Sequence, residues 1–328
     1  VFSSPSTGTL VSNTGVVTIT DDDTQPGIYI NPWGASENAG QIWWNVQLSH
    51  TSYTWVSVYF YVTPWTATSG VDYVSTGYTV TVPAWSTTTQ VYVDLINDTI
   101  DEPTETLIYG LTGAVNGYIS TETWIALITD EDQTPAISVN NITLSEGTTG
   151  QFAVTLSNPS TSWITADYIL SAGTATSGSD YTYIAGTVTI LSGSMTGYVV
   201  VTALDDAIYE GSETFNIVLS NPTNATITDG TGVATITDTE SAPTISINDV
   251  SIWEWSVGSF VVSLNNATTG NVTVQYVLAA GSATSGVDYT YTGGTLTITA
   301  GNTTWAINVT TLEDILYEWS ETFNMLLS

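Results

Sequence analysis

The chain repeats itself, and the length of the repeat limits what can fold. The stretch SETFNIVLS at 212–220 returns as SETFNMLLS at 320–328, 108 residues later. ATSGVDY at 67–73 returns at the same step as ATSGSDY at 175–181 and ATSGVDY at 283–289. ATITD at 234–238 has counterparts in ALITD at 126–130 and VTITD at 17–21. A unit of this size holds one immunoglobulin-sized sandwich with its own core. The predicted repeats cover 26–133, 134–241 and 242–328. Residues 1–25 are read as the closing strand of a preceding or neighbouring repeat, and the last repeat as lacking its own closing strand.

The pattern inside one unit is that of an antiparallel sandwich. Within 134–241, strands are predicted around Ile137 and over 152–156, 165–169, 187–190, 198–202, 215–219 and 233–237. Phe152, Val154 and Leu156 alternate with polar or small neighbours, as do Phe215, Ile217 and Leu219. Such alternation buries one face of a strand and wets the other. Thr, Ser, Val, Ile and Tyr abound, Gly, Asn and Asp punctuate them, and no window holds a helical period. The fold class is therefore all-β, as tandem immunoglobulin-like antiparallel sandwiches. DTQP at 23–26, DQTP at 132–135 and ESAP at 240–243 read as short linkers. Proline stiffens them, so the units are expected in a row.

Charge removes several classes of function. The chain has 31 acidic residues, one His, and no Lys or Arg. Nucleic-acid binding needs cationic side chains to neutralise phosphates, so no nucleic-acid partner is predicted. No cysteine is present, which removes disulfides and thiolate sites and leaves a divalent metal as a possible staple. No apolar run reaches the ~18 residues of a membrane helix. The segment opens on Val1-Phe2-Ser3 and predicts no signal peptide within itself.

Acidic residues recur at matched places. The first repeat carries Glu37, Asp72, Asp98, Glu102, Glu105, Asp130, Glu131 and Asp132. The second carries Glu146, Asp180, Asp205, Asp206, Glu210, Glu213, Asp238 and Glu240, and the third Glu254, Asp288, Glu313, Asp314, Glu318 and Glu321. At turns these are either solvated residues or converging carboxylates that hold a hard cation. The ordered motifs E-G, S-G-x-D-Y, D-D-x-x-Y-E-G-S-E-T-F and I-T-D-x-E resemble the Calx-β family over nearly the whole chain. That resemblance implies a β-sandwich, found in sodium–calcium exchangers, integrin β4 and bacterial adhesins. In calcium-binding members it places ligands at the positions of Glu146, Asp180, Asp206, Glu210, Glu213 and Asp238. The matched positions elsewhere are Glu37, Asp72, Asp98, Glu102, Glu105 and Asp130, then Glu254, Asp288, Asp314 and Glu318. Many family members keep the fold without calcium. The last repeat departs from the pattern, with Trp255 and Trp319 where E-G has glycine; a Trp is disfavoured wherever such a turn needs positive φ.

Other features point to less. His50 reads as a surface loop residue, and Asp205 with Asp206 as turn acids rather than a glycosidase pair. Trp43-Trp44 and Trp253 are candidates for sugar contacts or subunit stacking, against core or interface packing. N-x-S/T sequons stand at Asn97, Asn141, Asn224, Asn266, Asn271, Asn302 and Asn308. The expected protein is a non-catalytic, calcium-stabilised subunit of an extracellular filament or sheath. The alternative is a stalk of a large surface adhesin. Its partners would be copies of itself joined head to tail, and surface glycans or receptors of a neighbouring cell. Ser4-Pro5 and 17–21 match Asn221-Pro222 and 234–238, so residues 1–23 of one copy are expected to complete repeat 242–328 of the next. Asp21, Asp22 and Asp23 would then join Glu254, Asp288, Asp314 and Glu318.

Overall fold

The computed structural model describes residues 7–9, 11, 12, 14–290, 293–315 and 317–328. The chain is all-β in these residues, apart from one 3-10 turn at Glu37–Ala39. It divides into two compact units, one ending at Asp132 and the other running from Gln133. Three hydrophobic clusters, one per repeat, form the cores.

The second repeat shows the architecture best. One sheet orders the strands Thr196–Thr202, Thr149–Leu156, Ala136–Val139 and Thr226–Asp229. The other orders Ile142–Ser145, Thr231–Thr237, Glu213–Thr223, Ile164–Ala172 and Ala185–Ile190. Phe152, Val154 and Leu156 of one sheet face Phe215, Ile217 and Leu219 of the other, all buried. Burial of each such side chain contributes ~1.5–3 kcal/mol. All seven predicted strands are present. Three further short ones, Ile142–Ser145, Ile208–Tyr209 and Thr226–Asp229, lack a readable period because two to four residues cannot show one. The first repeat has the same two sheets, with Ala35–Ser36 beside Thr123–Thr129 as the counterpart of Ile142–Ser145 beside Thr231–Thr237.

The S-G-x-D-Y motif is a structural anchor. Gly178 takes φ +92° and donates its N–H to the Tyr181 carbonyl at 2.9 Å. Glycine accepts that conformation without a Cβ penalty. The turn drops Tyr181 into the core, where its ring stacks on Phe215 with centroids 4.3 Å apart. Tyr289 stacks on Phe323 at the same 4.3 Å in the third repeat. The preceding aspartate is thereby fixed at the mouth of each sandwich.

The third repeat is open on one side. Among the described residues it has the strands Ile245–Ile247, Val257–Leu264 and Thr304–Thr310 in one sheet and Gly294–Ile298, Val272–Ala280 and Phe323–Leu327 in the other. Among the described residues no strand pairs the free edge of Phe323–Leu327, where Glu213–Thr223 is paired by Thr231–Thr237. Residues 250–253 form no strand, whereas the matching Ile142–Ser145 pairs with Thr231–Thr237. The core loosens accordingly: Ile137 is 0% exposed, but its counterpart Ile245 is 40% exposed. Phe323 is only partly buried where Phe215 is fully buried.

Residues 17–21 form no strand in this chain. Val16, Val17 and Ile19 are 91%, 86% and 91% exposed. Ser4 and Pro5 lie outside the described residues. No helix among the described residues is long and apolar enough to cross a membrane.

Candidate metal centre

Two parallel strands end together at the mouth of the second sandwich. Ser145 is in register with Thr237, so the residues that follow, Glu146 and Asp238, emerge side by side. The first repeat repeats this device: Ser36 is in register with Thr129, and Glu37 and Asp130 follow. Loops supply the remaining carboxylates. Asp180 comes from the tyrosine-anchored turn, its Oδ2 accepting the Thr176 N–H at 2.5 Å. Glu210 precedes a glycine at φ +81°, and Glu213 opens the strand Glu213–Thr223.

These side chains converge. Ligand oxygens of Asp180, Glu210 and Glu213 lie within 4.8 Å of one another, and so do those of Glu146, Asp238 and Glu240. Asp72, Glu102 and Glu105 form the equivalent group in the first repeat, and Asp288, Glu318 and Glu321 in the third. Asp206 ties the second repeat's two groups together, since its charge acts on both Glu146 and Glu210. Asp98 and Asp130 act likewise on Glu37 and Glu102. Asp314 and Glu254 lie near enough to Glu318 to act on it, though Glu254 is exposed. Asp21 stands outside all four groups, where its Oδ1 accepts the Asp23 N–H at 3.2 Å. Glu240 and Glu321 complete two of the groups but were not among the ligands that the resemblance carried over; their recurrence beside the other acids was the available signal. His50 is exposed and far from this chemistry in sequence and bonding, between Ser49 and the Thr24 carbonyl.

The electrostatics are those of crowded anions without a counter-charge. Burial, the Asp238 charge and other carboxylates push Glu146 up to about 7. Burial, a hydrogen bond to Asp180 and neighbouring charges push Glu213 up to about 7. In the first repeat Glu37 and Glu102 also rise to about 7, from burial and then from surrounding carboxylates. Glu105 rises to about 8, from burial, its hydrogen bond to Asp72 and the Asp72 charge. Glu321 rises as well, from desolvation first and then from its hydrogen bond to Asp288. Each repeat thus holds a Glu whose carboxyl is raised by burial and by a hydrogen bond to a neighbouring Asp. Asp238 goes the other way. Desolvation raises it, but N–H groups of Gly211, Glu210 and Glu240 outweigh that and hold it below the usual range. The distances to Oδ2 are 2.6 Å from Glu210 and 2.7 Å from Gly211, with Glu240 at 2.8 Å from Oδ1.

The donor set fits a hard dication. Every candidate ligand is a carboxylate oxygen, one of the hard oxygen donors that calcium takes, and no basic side chain competes. Two buried oxygens, Glu146 Oε2 and Glu105 Oε2, have no hydrogen-bond partner. Glu146 is only 7% exposed. A buried carboxylate oxygen left without a partner is costly and calls for a cation or a proton. The third repeat is the weakest of the three. Its Trp255 sits at φ +48°, where Gly147 takes +69°, and its acids are more exposed.

Taken together, the protein is a tandem β-sandwich chain with an acidic, oxygen-only cluster at the mouth of each repeat. A family model for the Calx-beta domain matches residues 21–132, 130–250 and 245–328, so the chain belongs to the Calx-beta domain family. No curated protein matches. Among solved structures, CBD12 from CALX1.2 is 14% identical over 64% of this chain and 98% of its own, with a TM-score of 0.33. The apo-form Calx CBD1 domain is 20% identical over 33% of this chain and 100% of its own, at 0.32. A chaperone and tip-adhesion subunit complex of Csu pili from Acinetobacter baumannii is 15% identical over 65% of this chain and 99% of its own, at 0.24.

Proposed function

We propose that this chain is a non-catalytic structural subunit of an extracellular filament or sheath, joined head to tail by strand addition and stabilised by calcium. The observation that carries the reading is the unpaired edge of Phe323–Leu327, together with the unpaired apolar segment 16–21. In the second repeat the positions of Val17 and Ile19 are held by Ala234 and Ile236, both buried. Adding 17–21 to a neighbouring copy would bury two apolar side chains and pair a row of backbone groups. Such an addition is heterologous and need not close, so it propagates. Asp21 would then stand where Asp238 stands, beside Glu254, Asp288, Asp314 and Glu318. Calcium would be held by the carboxylates at the mouth of each repeat and would supply the missing positive charge. A chain without Lys or Arg offers no site to trypsin-like proteases, which suits a protein outside the cell.

A second reading, a stalk or binding segment of a large repeat-containing surface adhesin, is favoured by the junction of the last two repeats. There Ile208–Tyr209 pairs in parallel with Ala267–Thr268, joining consecutive repeats through backbone. In that reading residues after Ser328 of a longer chain would fill the open edge, and receptors or glycans of another cell would be the partners. Deletion of residues 1–23 separates the two. If strand exchange builds the filament, the deleted protein stays monomeric by sedimentation, and a peptide of residues 1–23 caps it. Filaments that assemble unchanged after the deletion would rule out the exchange.

A further inference from the structure

The outer face of the first repeat carries an aromatic platform that neither its fold nor its acidic cluster uses. On the strands Gln41–Leu48 and Thr88–Asp94, Trp43 stands opposite Tyr92, with ring centroids 4.7 Å apart and planes tilted by 35°. Trp43 is 48% exposed and Tyr92 38% exposed, while the adjacent Trp44 is buried against Tyr109. The pair is bracketed by two polar cross-strand pairs. On one side the Gln41 amide donates to Asp94 Oδ1 at 2.6 Å, and on the other Gln90 donates to Asn45 at 3.3 Å. Tyr78 reaches from the other sheet and locks the platform: its hydroxyl accepts the Tyr92 N–H at 3.0 Å. That contact also blocks the outer edge of the strand Thr88–Asp94 against pairing with another chain.

The other repeats act as internal controls. At the same register the second repeat has Gln151 opposite Val200, and the third has Ser259 opposite Asn308. The sandwich therefore forms without an aromatic pair at this place. Two large rings held half in water, with no packing partner outside, point to a ligand.

We infer that this face binds a neutral polysaccharide, with the C–H face of a sugar ring laid on Trp43 and Tyr92. The flanking amides of Gln41, Asn45 and Gln90 would meet its hydroxyls. The chemistry favours that class. Aromatic rings give apolar area at small entropic cost, and amides both donate and accept. With 31 acidic residues and no basic ones, the chain repels polyanions. A cationic partner would find carboxylates over the whole molecule, whereas this face gathers uncharged amides, and its Asp94 is already engaged by Gln41. The inference is independent of strand exchange and of calcium.

The test is affinity electrophoresis of the full chain in gels containing barley β-glucan, galactomannan or, as the anionic control, alginate. Retardation is expected in at least one neutral gel and not in alginate. Trp43→Ala should weaken it about tenfold, the loss of one good stacking contact. Trp43→Tyr, which keeps a ring, should retain most of it, and Tyr198→Ala should leave it unchanged. Since Trp43 faces solvent, far-ultraviolet circular dichroism of each variant should match the parent. Retardation in neither neutral gel, or equal retardation of parent and Trp43→Ala, overturns the inference. So does a Trp43-dependent self-association, or a Trp43-dependent binding to polylysine, without binding to sugar.

Discussion

The Asp238 carboxylate ties the end of a core strand to the acidic cluster, and its replacement by asparagine separates the two roles. The carboxylate accepts three backbone N–H groups, from Glu210, Gly211 and Glu240. Asparagine keeps one oxygen, enough for the Glu210 and Gly211 pair, and turns an NH2 towards the third donor. Two charge-assisted bonds become neutral ones, at about 1 kcal/mol each, and one bond of about 1.5 kcal/mol is lost. Relief of repulsion from Glu146 and Glu210 offsets part of this, leaving a cost of about 2 kcal/mol at pH 7. Because the carboxyl is held below its ordinary value of 3.8, its contribution is present above that pH and is lost as pH falls through the folded value. The assay is native-state hydrogen exchange of the full chain in chelator, read on the amides of Glu213–Thr223 and Thr231–Thr237. Their opening free energy should fall by about 2 kcal/mol, and that of the first repeat should not change. In calcium the cost should grow, because binding at one hundred times Kd adds about 2.7 kcal/mol that the variant forfeits in part. Unchanged exchange in chelator would refute the capping role, and an equal cost with and without calcium would refute Asp238 as a ligand.

Three further outcomes follow from the same geometry. Glu37, Glu102, Glu146 and Glu213 near 7, and Glu105 near 8, all lie above their ordinary 4.5. Their contribution to stability is full below pH 4.5 and is lost as pH rises through about 7 to 8, so in chelator the melting temperature should be higher at pH 5.5 than at pH 8. Calcium should reverse that order and release protons on binding, measurable by calorimetry in buffers of different ionisation enthalpy; a binding heat independent of buffer would contradict it. Asp180→Asn or Asp206→Asn should shrink the calcium-induced rise in melting temperature of the second repeat while near-ultraviolet dichroism from its core stays the same. Trp255→Gly should stabilise the third repeat by about 1 kcal/mol, since it removes a left-handed non-glycine residue whose side chain is 77% exposed; a lower urea midpoint would refute the strain.

Much of the sandwich was legible because its signals are local. The period-two alternation of Phe152, Val154 and Leu156 needs only neighbours to bury one face. The S-G-x-D-Y turn carries its own glycine, its own buried tyrosine and its own aspartate, so three copies in the sequence announced three copies in space. The acidic cluster was half legible. Asp180 and Glu213 stand in repeated motifs, but nothing local says that Glu146 and Asp238, 92 residues apart, emerge from parallel strands in matching register. That depends on Ile142–Ser145 leaving one sheet for the other, a step too short to leave a period. For the same reason Glu240 joined the cluster only in three dimensions.

Sequence alone determined the repeat, the fold class and the absence of any basic partner for the carboxylates. Tertiary structure decided which of two identical letters faces water. Trp43 and Trp44 are neighbours on one strand, yet the pleat sends Trp44 into the core against Tyr109 and leaves Trp43 outside against Tyr92. It also decided how open the last core is. The letters of Ile245 and Phe323 match those of Ile137 and Phe215, yet the former are less buried; Ile137 and Phe215 lie on strands paired by Thr226–Asp229 and Thr231–Thr237. Burial belongs to a side chain and everything packed around it, and for these residues that surrounding comes from strands distant in sequence.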